Sequence, residues 1–321
     1  MRRREFLASA SATALLGTTG PAPRGAQQLR VLLGRGDARS IDEGSFSFNG
    51  HPYRGTFSTL QDSGEIVSVV PLEQYLYSVV PREMPRSWPA AALQAQAAVA
   101  RTYVLQRSSP LRAYDLVPSE ANQVYAGMEA EAHETTRAVD ATSGQVLRFA
   151  GGFAQIAYSS CCGGHTEASS SAWGTQDLPY LRGRQCNYCS DSPWYRWSHR
   201  ISIDQFVAAM RFELAPAGTP NAVTLDPPDE SGRVLYWTVQ GDQGSARIKA
   251  ADIRRAVGSR TLPSLLVTLV SFDGSDLALE GGGLGHGVGL CQWGARGIAR
   301  SGADFRAILR FYFPGSSLGM D

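Results

Sequence analysis

Glu83 stands in the run Val80-Pro81-Arg82-Glu83-Met84-Pro85, with Trp88-Pro89 close behind. The prolines punctuate two helical stretches, which puts the glutamate at a break between them. A carboxyl held at such a break among apolar groups keeps its proton to higher pH, as a general acid must. Arg101 and Tyr103 lie toward the end of the following alanine-rich stretch, where they could bind a polar substrate or tune that acid. The same residues fit a plain surface glutamate at a helix end, and spacing alone leaves both readings open.

Two further groups of residues have chemical potential. The chain reads Ser159-Ser160-Cys161-Cys162-Gly163-Gly164-His165-Thr166-Glu167 and later Cys186-Asn187-Tyr188-Cys189. Cys162-x2-His165 and Cys186-x2-Cys189 have the short spacings of a structural zinc site, so one zinc on Cys162, His165, Cys186 and Cys189 is expected. Disulfides are the competing use of these thiols, and an extracytoplasmic location permits them. The third group is Gly285-His286-Gly287-Val288-Gly289-Leu290-Cys291-Gln292. Glycines around a histidine let the backbone turn tightly and a ligand come close. His286 can orient a carboxylate or hydrogen-bond a sugar, and Gln292 can contact one. A tight turn without a ligand is the alternative, and phosphate is poorly supported because no strand leads into a Gly-x-Gly-x-x-Gly turn. A Cys291 nucleophile paired with His286 is a further option with no particular support from their spacing.

These residues must be carried by regular elements. Leu29 to Gly34 and Gly64 to Val70 have strand patterns, and Asn49-Gly50 predicts a hairpin turn between them. Leu72 to Pro81 repeats apolar residues at helical spacing. Pro89 opens a second helix over Ala90 to Gln106. Val146 to Phe149 and Phe153 to Tyr158 predict a strand pair turned at Gly151-Gly152, and residues 160–200 a long irregular loop. Strands return at Val234 to Val239 and Leu265 to Phe272, with helices near Ile253, over Gln292 to Arg300 and over Phe305 to Tyr312. No repeat or linker divides the chain, and the expected class is α+β in one compact body over residues 27–321.

Composition narrows the function. Thirty basic and 29 acidic residues in 321 leave a net charge of +1, which is no footprint for nucleic acid. Lys249 is the single lysine, so Schiff-base chemistry has one candidate and a Gly-Lys-Ser/Thr phosphate loop has none. Residues 1–26 read as a secretory signal: basic Arg2 to Arg4, then a short apolar run from Ala8 to Gly17. Arg3-Arg4-Glu5-Phe6-Leu7 fits the twin-arginine route, which exports proteins already folded. A chain folded in the cytoplasm meets zinc with reduced thiols, which favours the metal over disulfides. No stretch of the mature chain is long and apolar enough for a membrane helix. The expected location is the periplasm or cell-wall space.

Taken together, the motifs resemble the SpoIID/LytB domain family, the stage II sporulation protein D and amidase-enhancer relatives. The resemblance rests on Val70-Pro71-Leu72-Glu73-Gln74-Tyr75-Leu76, Glu83-Met84-Pro85, Ser87-Trp88-Pro89, Ala92 to Ala97 and Ala100-Arg101-Thr102-Tyr103. It continues through Gln123-Val124-Tyr125, Gly163 to Glu167, Pro179-Tyr180-Leu181, Gly285 to Gly289 and Tyr312 to Gly315, and is strongest over residues 65–316. It implies a lytic transglycosylase acting on peptidoglycan glycan strands, in particular those lacking stem peptides. Glu83 matches the family's catalytic glutamate and Arg101 its active-site arginine, with Tyr103, His286 and Gln292 expected to help bind substrate. No cofactor is implied for catalysis. A glycosidase that uses water commonly needs two carboxyls, whereas a lytic transglycosylase can work with one. The rival implied by the same family is a non-catalytic wall-binding enhancer of a cell-wall amidase. Some relatives bind zinc just ahead of the Gln-Val-Tyr block; Leu116 to Asn122 offers no such ligands here, so the cysteine cluster is a separate feature. Cys291 occupies a place often held by serine, which suggests a small-residue role.

Overall fold

Alternating burial along Gln28–Gly34, with Leu29 and Val31 fully buried, makes the first strand of the chain. The computed structural model describes residues 27–117 and 123–321, so the expected signal over 1–26 lies outside the described residues. The architecture is mixed α+β, as expected. The chain gathers into two compact units: one holds the residues to Glu83 with Arg107–Ala132, the other Met84–Gln106 with His133–Asp321.

In the first unit β1 (Gln28–Gly34) is followed by β2 (Ala38–Asp42), β3 (Ser45–Phe48), β4 (His51–Arg54), β5 (Thr56–Thr59) and β6 (Ile66–Pro71). Two antiparallel sheets result, ordered β1-β6-β5 and β2-β3-β4. The β3–β4 turn is Asn49-Gly50, with φ of 50° and 87°, the left-handed pair this tight hairpin requires. From β6 the chain passes directly into α1 (Leu72–Glu83). The returning segment is clamped to the strands by charge: Arg30 Nη2 donates to Asp115 Oδ1 at 3.0 Å and Arg54 Nη2 to Glu131 Oε2 at 2.8 Å.

The second unit starts with α2 (Ala90–Arg107), whose last residue is assigned to the first unit, and continues with α3 (His133–Asp140), β7 (Gln145–Phe149), β8 (Gly152–Phe153) and β9 (Tyr158–Ser159). The expected Phe153 to Tyr158 strand is cut short. Gln155 N–H donates to the Tyr180 hydroxyl at 2.9 Å instead of to β7, and the chain leaves the sheet. The irregular stretch after residue 160 contains a short α-helix, α4 (Ser169–Trp173), and a 3-10 turn at Pro179–Leu181. Then come β10 (Trp197–Ser202), α5 (Ile203–Ala209), β11 (Pro220–Leu225), β12 (Tyr236–Gly241), β13 (Ser245–Lys249), α6 (Ala250–Val257), β14 (Val267–Phe272) and β15 (Asp276–Gly281). Sheets β10-β15-β14 and β11-β12-β13 share a core that includes Phe206, Trp237, Ile253 and Leu277. The chain ends with β16 (Leu290–Cys291), α7 (Gln292–Arg300), α8 (Phe305–Tyr312) and β17 (Ser317–Met320). β17 pairs with β7, and β16 lies parallel to β9, with Leu290 opposite Tyr158 and Cys291 opposite Ser159. That short parallel pair sets the Gly-rich histidine loop beside the cysteine-rich segment.

Candidate functional site

Glu83 is the last residue of α1. The buried face of that helix is Leu72, Tyr75, Leu76, Val79 and Val80. Position 83 lies three and four residues beyond the last two, so the carboxyl continues the apolar stripe and is half-buried while Arg82 beside it is exposed. A solvated face is therefore not where this glutamate sits. The Gln123-Val124-Tyr125 motif braces the helix from the side. Tyr75 Oη donates to Gln123 Oε1 at 3.0 Å, the Tyr75 and Tyr125 rings lie 5.0 Å apart, and Ala126 N–H donates to Ser78 Oγ at 3.0 Å. Burial pushes the Tyr125 phenol well above its ordinary value, which keeps this brace neutral.

The other expected residues belong to the second unit. Arg101 is fully buried on α2; Nη1 donates to Gln145 O at 3.0 Å and Nη2 to Val139 O at 3.4 Å. It thereby ties the end of α3 and the start of β7 to α2, a role the sequence did not show. Tyr103 is buried with its ring 6.2 Å from that of Tyr158. Gln292, the first residue of α7, points its Nε2 at Gln96 Oε1, 3.5 Å away. Next to it Trp293 meets Trp88 edge-on at 5.1 Å, and the Arg296 guanidinium lies 5.0 Å from the Trp293 ring. Both indoles are half-exposed. Sequence reasoning did not join them, because they come from opposite ends of the unit.

His286 is held by backbone on both sides. Val288 N–H donates to its Nδ1 at 3.0 Å, and the ring also bonds the Tyr158 backbone. Burial, with the nearby Arg233 charge, pushes its pKa down to about 4, so the imidazole is neutral at ordinary pH. The Cys291 sulfur is buried, with the N–H groups of Cys162 and Gly294 at 3.3 Å. A neutral imidazole engaged with backbone and a buried thiol do not make a nucleophile pair. Gly287 is required by packing: a Cβ there would collide with the Arg233 guanidinium.

Under this loop lies a polar network absent from the expected set. Glu167 N–H donates to Gly287 O at 3.0 Å. Ser231 Oγ stands 2.7 Å from both Glu167 Oε2 and Asp229 Oδ1, and accepts from Arg233 Nη1 at 3.1 Å. One hydroxyl proton serves only one carboxylate, so the second carboxyl must bring its own. Burial pushes Glu167 up to about 7, and the neighbouring Asp229 adds to the effect. Asp229 is half-buried, but hydrogen bonds from Ser231 and Glu167 and from the Arg233 and Ser231 backbone hold it below the usual range. The proton therefore sits on Glu167. Because the folded protein keeps a proton that the unfolded chain releases at an ordinary carboxylate value, this group favours folding at low pH. Its contribution falls as pH rises from the ordinary carboxylate value of 4.5 toward about 7. Glu167→Gln should flatten that part of the stability–pH curve, read as thermal melts from about pH 5 to about pH 8.

The structure brings Cys162, Cys186, Cys189 and Cys291 together, with all four sulfurs within 4.8 Å of one another. His165 is not in the group. Gly163-Gly164 turn the chain, and His165 Nδ1 faces the Thr166 carbonyl at 2.8 Å. Cys291 stands in the expected place of the histidine, delivered from 129 residues beyond Cys162 by the β9–β16 pair.

Comparison with known proteins agrees with the motifs. Residues 61–149 match the stage II sporulation protein (SpoIID) family model, and residues 181–289 match a domain of unknown function. An uncharacterised protein of Brachyspira hyodysenteriae is 31% identical over 84% of this chain and 73% of its own length. The amidase enhancer of Bacillus subtilis is 29% identical over 76% of this chain, which spans only 40% of that protein. Stage II sporulation protein D of Bacillus amyloliquefaciens is 27% identical over 79% of this chain and 75% of its own length. With the motifs in the same order along the chain, these matches show that it belongs to the SpoIID/LytB family.

Proposed function

We propose that this protein is a lytic transglycosylase of peptidoglycan glycan strands, preferring those without stem peptides, with Glu83 as its one acid and base. The observation that carries the reading is the position of Glu83 at the end of the apolar stripe of a braced helix. In the reaction Glu83 gives its proton to the glycosidic oxygen as the bond from that oxygen to the anomeric carbon breaks. The 6-hydroxyl of the same sugar then bonds to the anomeric carbon and returns its proton to Glu83. An anhydro ring forms, the acid is regenerated and no water is consumed.

The names of the relatives support a cell-wall role, which requires action outside the cytoplasm. The basic, apolar leader over residues 1–26 fits that location by the twin-arginine route. No helix among the described residues is long and apolar enough to cross a membrane. In the second unit the Trp88–Trp293 pair offers apolar faces for sugar rings, with Arg296 beside it as a hydrogen-bond donor. Losing one such ring contact costs about 1 kcal/mol, so Trp293→Ala should weaken binding to glycan strands roughly five- to tenfold without unfolding the protein. Binding isotherms with denuded strands, alongside circular dichroism, check this.

The name of the Bacillus subtilis relative favours a second reading, a wall-binding partner that stimulates a cell-wall amidase. Purified protein incubated alone with denuded strands separates the two. Release of soluble fragments without any amidase supports catalysis. No release, together with a raised rate when an amidase is added, supports the enhancer.

A further inference from the structure

We propose that Cys162, Cys186, Cys189 and Cys291 bind one zinc ion in a closed, tetrahedral, all-thiolate site that fixes the start of α7. Four sulfurs around zinc at about 2.3 Å stand roughly 3.8 Å apart. The Cys162 and Cys189 sulfurs are 3.6 Å apart and the whole set lies within 4.8 Å, so the cluster has nearly these dimensions. All four side chains are buried and none is joined in a disulfide.

A second observation points to charged sulfurs. N–H groups of Cys162 and Gly294 both lie 3.3 Å from Cys291 Sγ, and the Tyr312 hydroxyl lies 3.2 Å from Cys186 Sγ. The two N–H donors stabilise a thiolate at Cys291, and second-shell bonds of this kind orient metal ligands. Space is tight: a Cβ at Gly294 would come 2.9 Å from Cys186 Sγ. The ligands come from three parts of the chain: Cys162 three residues past β9, the Cys186–Cys189 turn and the N-cap of α7. Binding releases the thiol protons to solvent and moves no electrons. Four protein ligands leave no open position, so the ion is structural and takes no part in glycan chemistry. Its effect is to hold Gln292 and Trp293 at the head of α7 against the segment after β9. Cys161 is buried beside the group but does not belong to the mutually close set.

The site differs from the spacing-based set at one ligand, which makes it testable. Metal analysis of full-length protein purified without chelator should find about one equivalent of zinc. His165→Ala should keep it and Cys291→Ser should lose it. The reverse pattern overturns the assignment, as does iron in place of zinc. Absence of metal with the four thiols blocked until reduction overturns it in favour of disulfides. Should Cys291→Ser fail to fold, cobalt exchanged into the wild type still decides. The sulfur-to-metal charge-transfer intensity of four thiolates is expected, and a three-sulfur, one-nitrogen spectrum contradicts the assignment. None of these outcomes bears on whether Glu83 cleaves glycan.

Discussion

Glu83→Gln is expected to fold as the wild type does, bind glycan strands with unchanged affinity and cleave them about 10²- to 10⁴-fold more slowly. Glutamine has nearly the same shape and helix propensity as glutamate, so α1 and its buried face are left intact. What it lacks is a proton that can be given up and taken back. Because one residue serves both halves of the proposed reaction, no second carboxyl can rescue the variant. Turnover of denuded strands under saturating conditions reads the effect, and a thermal melt confirms the fold. Cleavage by the variant at the wild-type rate would remove Glu83 from the chemistry.

Arg101→Ala should produce the other large effect, and on stability first. The side chain is 0% exposed and its guanidinium satisfies the carbonyls of Gln145 and Val139. Truncation takes the guanidinium donor from Gln145 O, leaves Val139 O with Thr142 N–H at 3.1 Å, and opens a cavity in the interior. Losing a charged donor costs about 1.5–3 kcal/mol, and the cavity adds to that, for a total of roughly 3–5 kcal/mol. Denaturant titration should show a lower midpoint of that size. A loss of cleavage in this variant then reports a damaged scaffold, so the role of the charge in catalysis is better tested with Arg101→Lys. An Arg101→Ala protein as stable as the wild type would contradict the structural role.

Local pattern made many of the elements readable. The Leu72 and Ala90 helices, the Asn49-Gly50 hairpin and the closing helices over Gln292–Arg300 and Phe305–Tyr312 follow from apolar spacing and turn chemistry. Glu83 stood out because prolines bracket it, yet its place on the buried face of α1 emerges only once the helix is seen to run to residue 83. Long-range pairing is what the pattern does not contain. Nothing near Cys291 marks it as a partner of Cys162, since the parallel contact of two-residue strands leaves no periodic trace. The same holds for Glu167, Ser231, Asp229 and Arg233, which are polar residues in loops until the fold brings them together and buries all but Asp229. His286 shows the converse. Its glycine setting suggested a ligand contact, while both sides of the ring are engaged with the backbone of its own loop and β9.

The most direct test of the central claim is mass spectrometry of the fragments released from denuded glycan strands when purified protein reacts in water enriched in ¹⁸O. Ring closure by the sugar's own hydroxyl predicts fragments with anhydro ends, lighter by one water than hydrolysis products and free of the heavy isotope. New reducing ends in place of anhydro ends, carrying ¹⁸O above the exchange seen in strands without protein, would show that water is the nucleophile and would contradict the single-carboxyl mechanism.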